Sequence, residues 1–271
     1  MSDIDAHVER AAAADAGSRP RSDRILLVRH GESTANVAAA LAERSGAEVI
    51  PVEARDADVP LSHLGRSQAE TLAETLRAEL GGHPFDTARI WSSPYRRALE
   101  TARIAMGIDD ARDASDERPT PGIAVDERLR DRELGILDAL TSIGVERRLP
   151  DEAARRRWLG KFFYRPPGGE SWNDVALRVR SFLHDAHVGD ARPVLVFAHD
   201  AVVSLFAYVL LEFDEARLTE FLAERVVANA SITSFARQRN GGWVLEAFAD
   251  ARHVEAAGVP RTEHTGTGVD E

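Results

Sequence analysis

Two stretches of this chain are apolar without interruption, and each ends on a histidine. Ile25–Val28 runs into Arg29, His30 and Gly31, and Pro193–Ala198 runs into His199 and Asp200. A strand covered on both faces reads this way, as in the parallel sheet of an α/β protein. Elsewhere the apolar period lengthens to that of a helix. Ala69, Leu72, Ala73, Leu76 and Leu80 recur at three- and four-residue spacing behind an expected N-cap at Ser62, and Gly81-Gly82 closes that helix. The alanine-rich stretch Thr34–Arg44 predicts a helix directly after the first strand. Thr87–Trp91 predicts a strand, with Ser93 and Pro94 as the cap and first position of the helix that follows. Ser171 with Asp174 predicts a further start, and Ala201–Leu211 an apolar helix behind the second histidine. Ser231–Arg237 and Trp243–Phe248 flank Asn240-Gly241-Gly242, the mark of a hairpin.

Between Val125 and Pro167 no strand pattern occurs, only charged helical pieces such as Asp151–Phe163, which suit an excursion over the sheet. Residues 108–123 read as acidic loop. The expected fold is α/β: a three-layer α/β/α domain with a mostly parallel central sheet, an inserted helical lid and a C-terminal hairpin. It should occupy residues 23–250, with the lid at about 125–170, between a mobile N-terminal extension (1–22) and a mobile C-terminal tail (251–271).

Composition narrows the partners. A net charge of -11 and a pI of about 5.4 argue against a nucleic-acid or anionic-membrane surface. No cysteine is present, which removes disulfides, thiol catalysis and Cys-based zinc sites. No run of about 18 apolar residues exists, so no membrane partner is expected and a cytoplasmic location is the default. A homo-oligomer is compatible with the sequence. Among 34 basic residues only Lys161 is lysine, so a single arginine carries little information. His63, His83, His184 and His187 read as ordinary residues at the edge of the core.

Arg97 is an exception among the arginines. It shares the small inward stripe of Ala98, Thr101 and Ala102 in the first turn after a strand, where a guanidinium is costly unless it meets an anion. Arg96 falls on the polar face. Ligands of open α/β sheets bind beyond the carboxyl ends of the strands. His30, His199, Arg29 and Arg97 should therefore meet there, as a pocket for a phosphate dianion. Nearby guanidinium charge disfavours imidazolium and keeps a histidine nucleophilic. A metal site is the rival reading of the histidine pair. No third ligand stands at a recognisable spacing and the arginines repel a cation, so metal is expected to be absent.

These motifs resemble the histidine phosphatase superfamily, in its phosphoglycerate-mutase-like branch, over roughly Arg24 to Phe248. The likeness rests on Leu27–Glu32 with Asn36, on Leu61-Ser62, Gly65, Gln68 and Ala69, and on Ser92–Tyr95 with Arg97, Ala98, Thr101 and Ala102. It continues through Pro167–Ser171, Val194–His199 and Asn229–Ile232. The resemblance implies a metal-independent, cofactor-free phosphomonoesterase acting on a small phosphorylated metabolite. His30 would carry the phosphoryl group as phosphohistidine, and Arg29, Arg97, His199 and Asn36 would hold its oxygens. It also implies a proton donor four residues before a glycine, which in Leu129–Gly135 is Asp131, where glutamate is commoner. Asp200 stands where this branch has glycine. His-Asp belongs to the acid-phosphatase branch, in which the aspartate is the donor. Asp131 is the favoured donor and Asp200 the alternative, either as donor or as a helix N-terminal residue satisfying backbone N–H groups. A phosphoglycerate-type mutase and a non-catalytic phosphate-binding member are the rival functions. Arg128, Arg130, Arg147 and Arg148 are lid candidates for contact with an acidic substrate.

Overall fold

The computed structural model describes residues 23–108, 120–186 and 192–263. In chain order the main elements are β1 (Arg24–Arg29), α1 (Thr34–Ser45), α2 (His63–Glu70), α3 (Leu72–Leu80), β2 (Arg89–Ser92), α4 (Arg96–Ala105) and β3 (Ile123–Val125). There follow α5 (Ser142–Arg148), α6 (Pro150–Phe163), α7 (Trp172–Asp185), β4 (Val194–Ala198), α8 (Asp200–Leu210), α9 (Glu215–Ala223), β5 (Ile232–Arg237), β6 (Trp243–Asp250) and α10 (Arg252–Ala256). The six strands form one sheet in the order β3-β2-β4-β1-β5-β6. β3, β2, β4 and β1 are parallel, whereas β5 runs antiparallel to both β1 and β6.

The unbroken apolar runs are explained by cover on both faces of the sheet. Ile25 and Leu27 of β1, with Val194, Val196 and Ala198 of β4, join one core with Val175, Val179 and Phe182 of α7 and Phe206 of α8. The alternate residues Leu26, Val28, Leu195 and Phe197 join the opposite core with Leu72, Leu76 and Ala102. Because β1 and β4 are neighbours in register, with Arg29 opposite Ala198, the residues that follow them emerge side by side.

The lid between β3 and α7 has its own small cluster of Leu137, Val145, Ala153 and Tyr164. It is pinned where Gly135, at φ +56°, meets Pro167–Gly169; a Cβ there would lie 2.2 Å from the Pro167 carbonyl oxygen. The helix after β2 starts at Arg96 rather than at Pro94, with Tyr95 as its N-cap. Ser93 instead accepts the Tyr95 N–H in a tight turn, with its Oγ facing His199.

The C-terminal segment departs most from expectation. Residues 252–263 are not a loose tail: α10 buries Val254 completely, and Pro260 and Thr262 dock on Gln68. Their anchors are two apolar side chains, Val254 and Val259, and a few hydrogen bonds, too little to show as a periodic pattern. The expected extension at 1–22, residues 109–119 of the acidic loop, His187 and the tail beyond 263 lie outside the described residues. Among the described residues no helix is long and apolar enough to cross a membrane.

Two glycines of the sequence motifs are wedged against each other beneath the first histidine. A Cβ on Gly65 would lie 1.9 Å from the Glu32 carbonyl oxygen, and one on Gly31 would lie 2.3 Å from that of Gly65. Gly65→Ala must separate these two backbones, and overpacking of this kind costs about 1–3 kcal/mol. We expect a lower melting temperature, by roughly 2–4 °C for each kcal/mol in a chain of this size. An unchanged Tm in a thermal melt would show that the turns are not wedged.

Candidate active site

His30 follows β1 directly. Its backbone N–H donates to Ala198 O at 3.0 Å, and its carbonyl accepts from Ala230 N–H and from Asn229 Nδ2 at 3.1 Å. The ring is buried, and Nδ1 lies 2.7 Å from the Gly31 carbonyl oxygen. A carbonyl only accepts, so Nδ1 carries the proton and Nε2 presents a lone pair. Nε2 faces Arg97, whose Nε–H donates to it at a long 3.3 Å. Burial, reinforced by Arg97, His199 and Arg29, holds the His30 pKa well below the usual imidazole value. The ring is therefore neutral at neutral pH.

His199 follows β4 and is fully buried. Its Nε2 lies 2.8 Å from Ser93 Oγ, and its ring centroid is 5.2 Å from that of His30. The other nitrogen, Nδ1, is 3.2 Å from Asp131 Oδ2 but out of hydrogen-bond alignment. Burial lowers this histidine too, against the pull of the Asp131 carboxylate.

Arg97 lies in the first turn of α4, only 4% exposed, with Thr101 Oγ bridging its carbonyl to the Gly31 N–H. Its neighbour Arg96 pairs with Glu100 at 2.7 Å, on the outer side. The two terminal nitrogens of Arg97 are taken up by carboxylates. Asp56 engages both, at 2.9 and 3.1 Å, and Asp131 holds Nη2 at 2.8 Å. Burial alone would raise the Asp131 carboxyl, but His199 and Arg97 outweigh it and hold it well below the usual carboxylate range. Asp131 is thus an ionised group between Arg97 and both histidines.

Arg29 is buried at the end of β1, donates from Nη1 to the Val227 carbonyl, and lies 4.0 Å from Asp200 Oδ2. Asp200 opens α8 and accepts the Ala201 N–H at 2.7 Å. Asn36 closes a capping box with Ser33, so its Oδ1 is engaged with the Ser33 N–H at 3.1 Å while the residue lines the cavity wall. Arg29, His30, Asn36, Arg97, Asp131 and Asp200 all border one cavity of about 660 Å³, whereas His199 is not part of its lining and lies behind Asp131, 3.2 Å from Oδ2. Beyond this pole the walls are mixed, with small apolar Ala35, Ala39 and Ala40 beside charged Glu43, Arg44 and Asp138.

The lid arginines are not part of the site. Arg128 pairs with Asp126 and Asp185, Arg130 with Glu170, and Arg147 and Arg148 with Glu48, and none borders the cavity. Each is paired with a carboxylate of this chain, as expected with 45 acidic and 34 basic residues. Arg132 does border the cavity, with its Nε engaged by the Glu170 carbonyl at 2.8 Å.

The sequence reading missed three contributors. Asp56 lies in a proline-flanked stretch without period, so nothing marks it until the fold brings it to Arg97. Ser93 was legible only as a cap. Thr262 lies in the expected tail, yet it bonds Asn229 and Gln68, the residues that hold the His30 carbonyl and the Glu32 N–H. The same segment brings Glu263 to the cavity wall.

Two histidines and two buried arginines at adjacent strand ends match a known arrangement, and residues 25–251 fit the family model of the histidine phosphatase superfamily, branch 1. The chain belongs to the histidine phosphatase superfamily. Within it, the chain is 30% identical over 199 residues to a glucosyl-3-phosphoglycerate phosphatase of Mycolicibacterium vanbaalenii, covering 70% of this chain and 75% of the relative. It is 28% identical over 193 residues to a 2,3-bisphosphoglycerate-dependent phosphoglycerate mutase of Gloeobacter violaceus, covering 70% and 75%. The structure of a mycobacterial glucosyl-3-phosphoglycerate phosphatase in complex with VO3 superposes with a TM-score of 0.60 at 28% identity, covering 84% of this chain and 98% of that one. A mixed α/β sandwich with a mostly parallel sheet is the fold of this superfamily member.

Proposed function

We propose that this histidine phosphatase superfamily member is a metal-independent phosphomonoesterase acting on a small phosphorylated metabolite in the cytoplasm. The observation that carries this reading is His30, a buried neutral imidazole whose proton is fixed on Nδ1 and whose Nε2 opens between Arg97 and Arg29. In this proposal Nε2 attacks phosphorus in line. The N–P bond forms as the ester P–O bond breaks, and the leaving oxygen takes a proton from Asp131. Water then attacks the phosphohistidine, loses its proton to the Asp131 carboxylate and releases inorganic phosphate. Arg29 and Arg97 stabilise the charge on the equatorial oxygens, with His199 and Asn36 completing the cradle. Vanadate adopts the five-coordinate geometry of that transfer. The VO3 complex of the mycobacterial phosphatase is in keeping with a site of this kind.

Three carboxylates, of Asp56, Asp131 and Asp200, face two guanidiniums at the pole. A dianion must therefore displace Asp131 from Arg97, and the freed carboxyl is left beside the new negative charge, which favours its protonation. Binding and arming of the acid are in this way one event. The cavity beyond the pole admits a leaving group larger than a triose, in keeping with the glucosyl-3-phosphoglycerate phosphatases among the relatives.

The test is stoichiometry. With 4-nitrophenyl phosphate, 3-phosphoglycerate and glucosyl-3-phosphoglycerate as candidates, we expect one inorganic phosphate for each ester lost, unchanged by chelator. Quantitative isomerisation of a phosphoglycerate with little free phosphate would establish a mutase, and absence of any turnover a binding protein.

A further inference from the structure

The acid, the nucleophile and the second histidine also form a constellation of another kind. His30, Asp131 and His199 each offer one ligand atom, and these atoms lie within 4.8 Å of one another. The sequence provided no third ligand for the histidine pair; the fold supplies one from the lid.

Three features suit this trio to a cation. Both rings have the far nitrogen held, His30 Nδ1 by the Gly31 carbonyl and His199 Nε2 by Ser93 Oγ, which leaves His199 Nδ1 beside Asp131 and His30 Nε2 as the lone pair left to ligate. Histidine ligands of metals are oriented in this way, by a partner on the second nitrogen. His199 Nδ1 is fully buried and makes no aligned hydrogen bond, its nearest polar neighbour being Asp131 Oδ2 at 3.2 Å. The repulsion expected from Arg97 is offset by Asp56, which grips both of its terminal nitrogens.

We propose that the ligand-free enzyme binds one zinc-like divalent cation through His30 Nε2, His199 Nδ1 and Asp131, and that this cation excludes the phosphorylated substrate. Donors on a tetrahedral zinc stand roughly 3.5 Å apart. His199 and Asp131 already meet that spacing at 3.2 Å. His30 Nε2 must close in and give up its 3.3 Å bond from Arg97, and Asp131 Oδ2 must give up the 2.8 Å bond that Arg97 Nη2 donates to it. Two imidazoles and a single carboxylate suit zinc, whereas magnesium and calcium require a set of oxygens. The same lone pair of His30 serves metal and phosphorus, so occupancy by one blocks the other. The inference concerns regulation of the proposed phosphatase site, but cation binding is read without turnover and stands apart from the hydrolase reading.

Equilibrium dialysis of the full chain in zinc-buffered solution, with metal analysis, tests it. We expect one zinc per chain for the wild type, and at least a tenfold weaker affinity in Asp131→Asn and in His30→Gln. Magnesium at the same concentration should not bind. In steady state with 4-nitrophenyl phosphate, zinc should raise KM and leave kcat unchanged. Absence of stoichiometric zinc in the wild type would overturn the proposal, as would equal binding by both variants, equal binding of magnesium, or inhibition that lowers kcat alone.

Discussion

His30→Ala is expected to abolish turnover and phosphoenzyme formation together, leaving a folded protein. The side chain contributes the nitrogen lone pair that faces Arg97 on the cavity wall. His199 presents Nδ1 to Asp131 and is held by Ser93 on its other side. Rapid quenching with labelled substrate should trap a phosphoryl adduct on the wild type that is stable to alkali and labile to acid. An acid-stable, alkali-labile adduct would place the nucleophile on a carboxylate or hydroxyl. The pH profile supplies an independent check. Burial and Arg97 lower the His30 pKa, so the neutral form persists as pH falls through the ordinary imidazole value of about 6.5. The acid limb of kcat/KM that reports this histidine should therefore lie below that value. A limb above it would contradict the electrostatics of the pole.

The second large effect separates the two aspartates. Asp131→Asn should slow hydrolysis of an alkyl phosphate by about 10²–10⁴-fold, the usual contribution of a positioned acid. An aryl phosphate with an acidic leaving group should lose far less, because its oxide hardly needs a proton. Asp200→Asn should show no such asymmetry. Asp200 accepts the N–H of Ala201 in the first turn of α8 and lies 4.0 Å from Arg29, so its carboxylate serves the helix end and tempers an arginine. Asp131 stands on the lid, touches both Arg97 and His199, and in the proposed mechanism leaves that position when a phosphoryl group arrives. The Asp131 carboxyl is held well below its usual range in the free enzyme, so the acid form depends on bound substrate. Leaving-group dependence in Asp200→Asn but not in Asp131→Asn would transfer the donor role to Asp200.

What the sequence determined by itself was everything tied to short-range pattern. The runs Ile25–Val28 and Pro193–Ala198 admit no exposed face, so they predict covered strands, and their flanking histidines fall at the strand ends whatever the rest of the chain does. The inward stripe of α4 likewise separates Arg97 from Arg96, because a helix of 3.6 residues per turn fixes which neighbours share a face. Tertiary structure alone decided the rest. Asp56 and Asp131 come from irregular segments 41 and 34 residues from Arg97, and no local period records that one guanidinium will meet both. The lid arginines illustrate the converse: charge pattern offers them to a substrate, and the fold assigns each to a carboxylate of this chain. Thr262 follows the same logic, since hydrogen bonds with the side-chain amides of Gln68 and Asn229 order a segment whose composition reads as tail. Side-chain charges and single hydrogen bonds act across space rather than along the chain, and only the folded sheet brings them within reach.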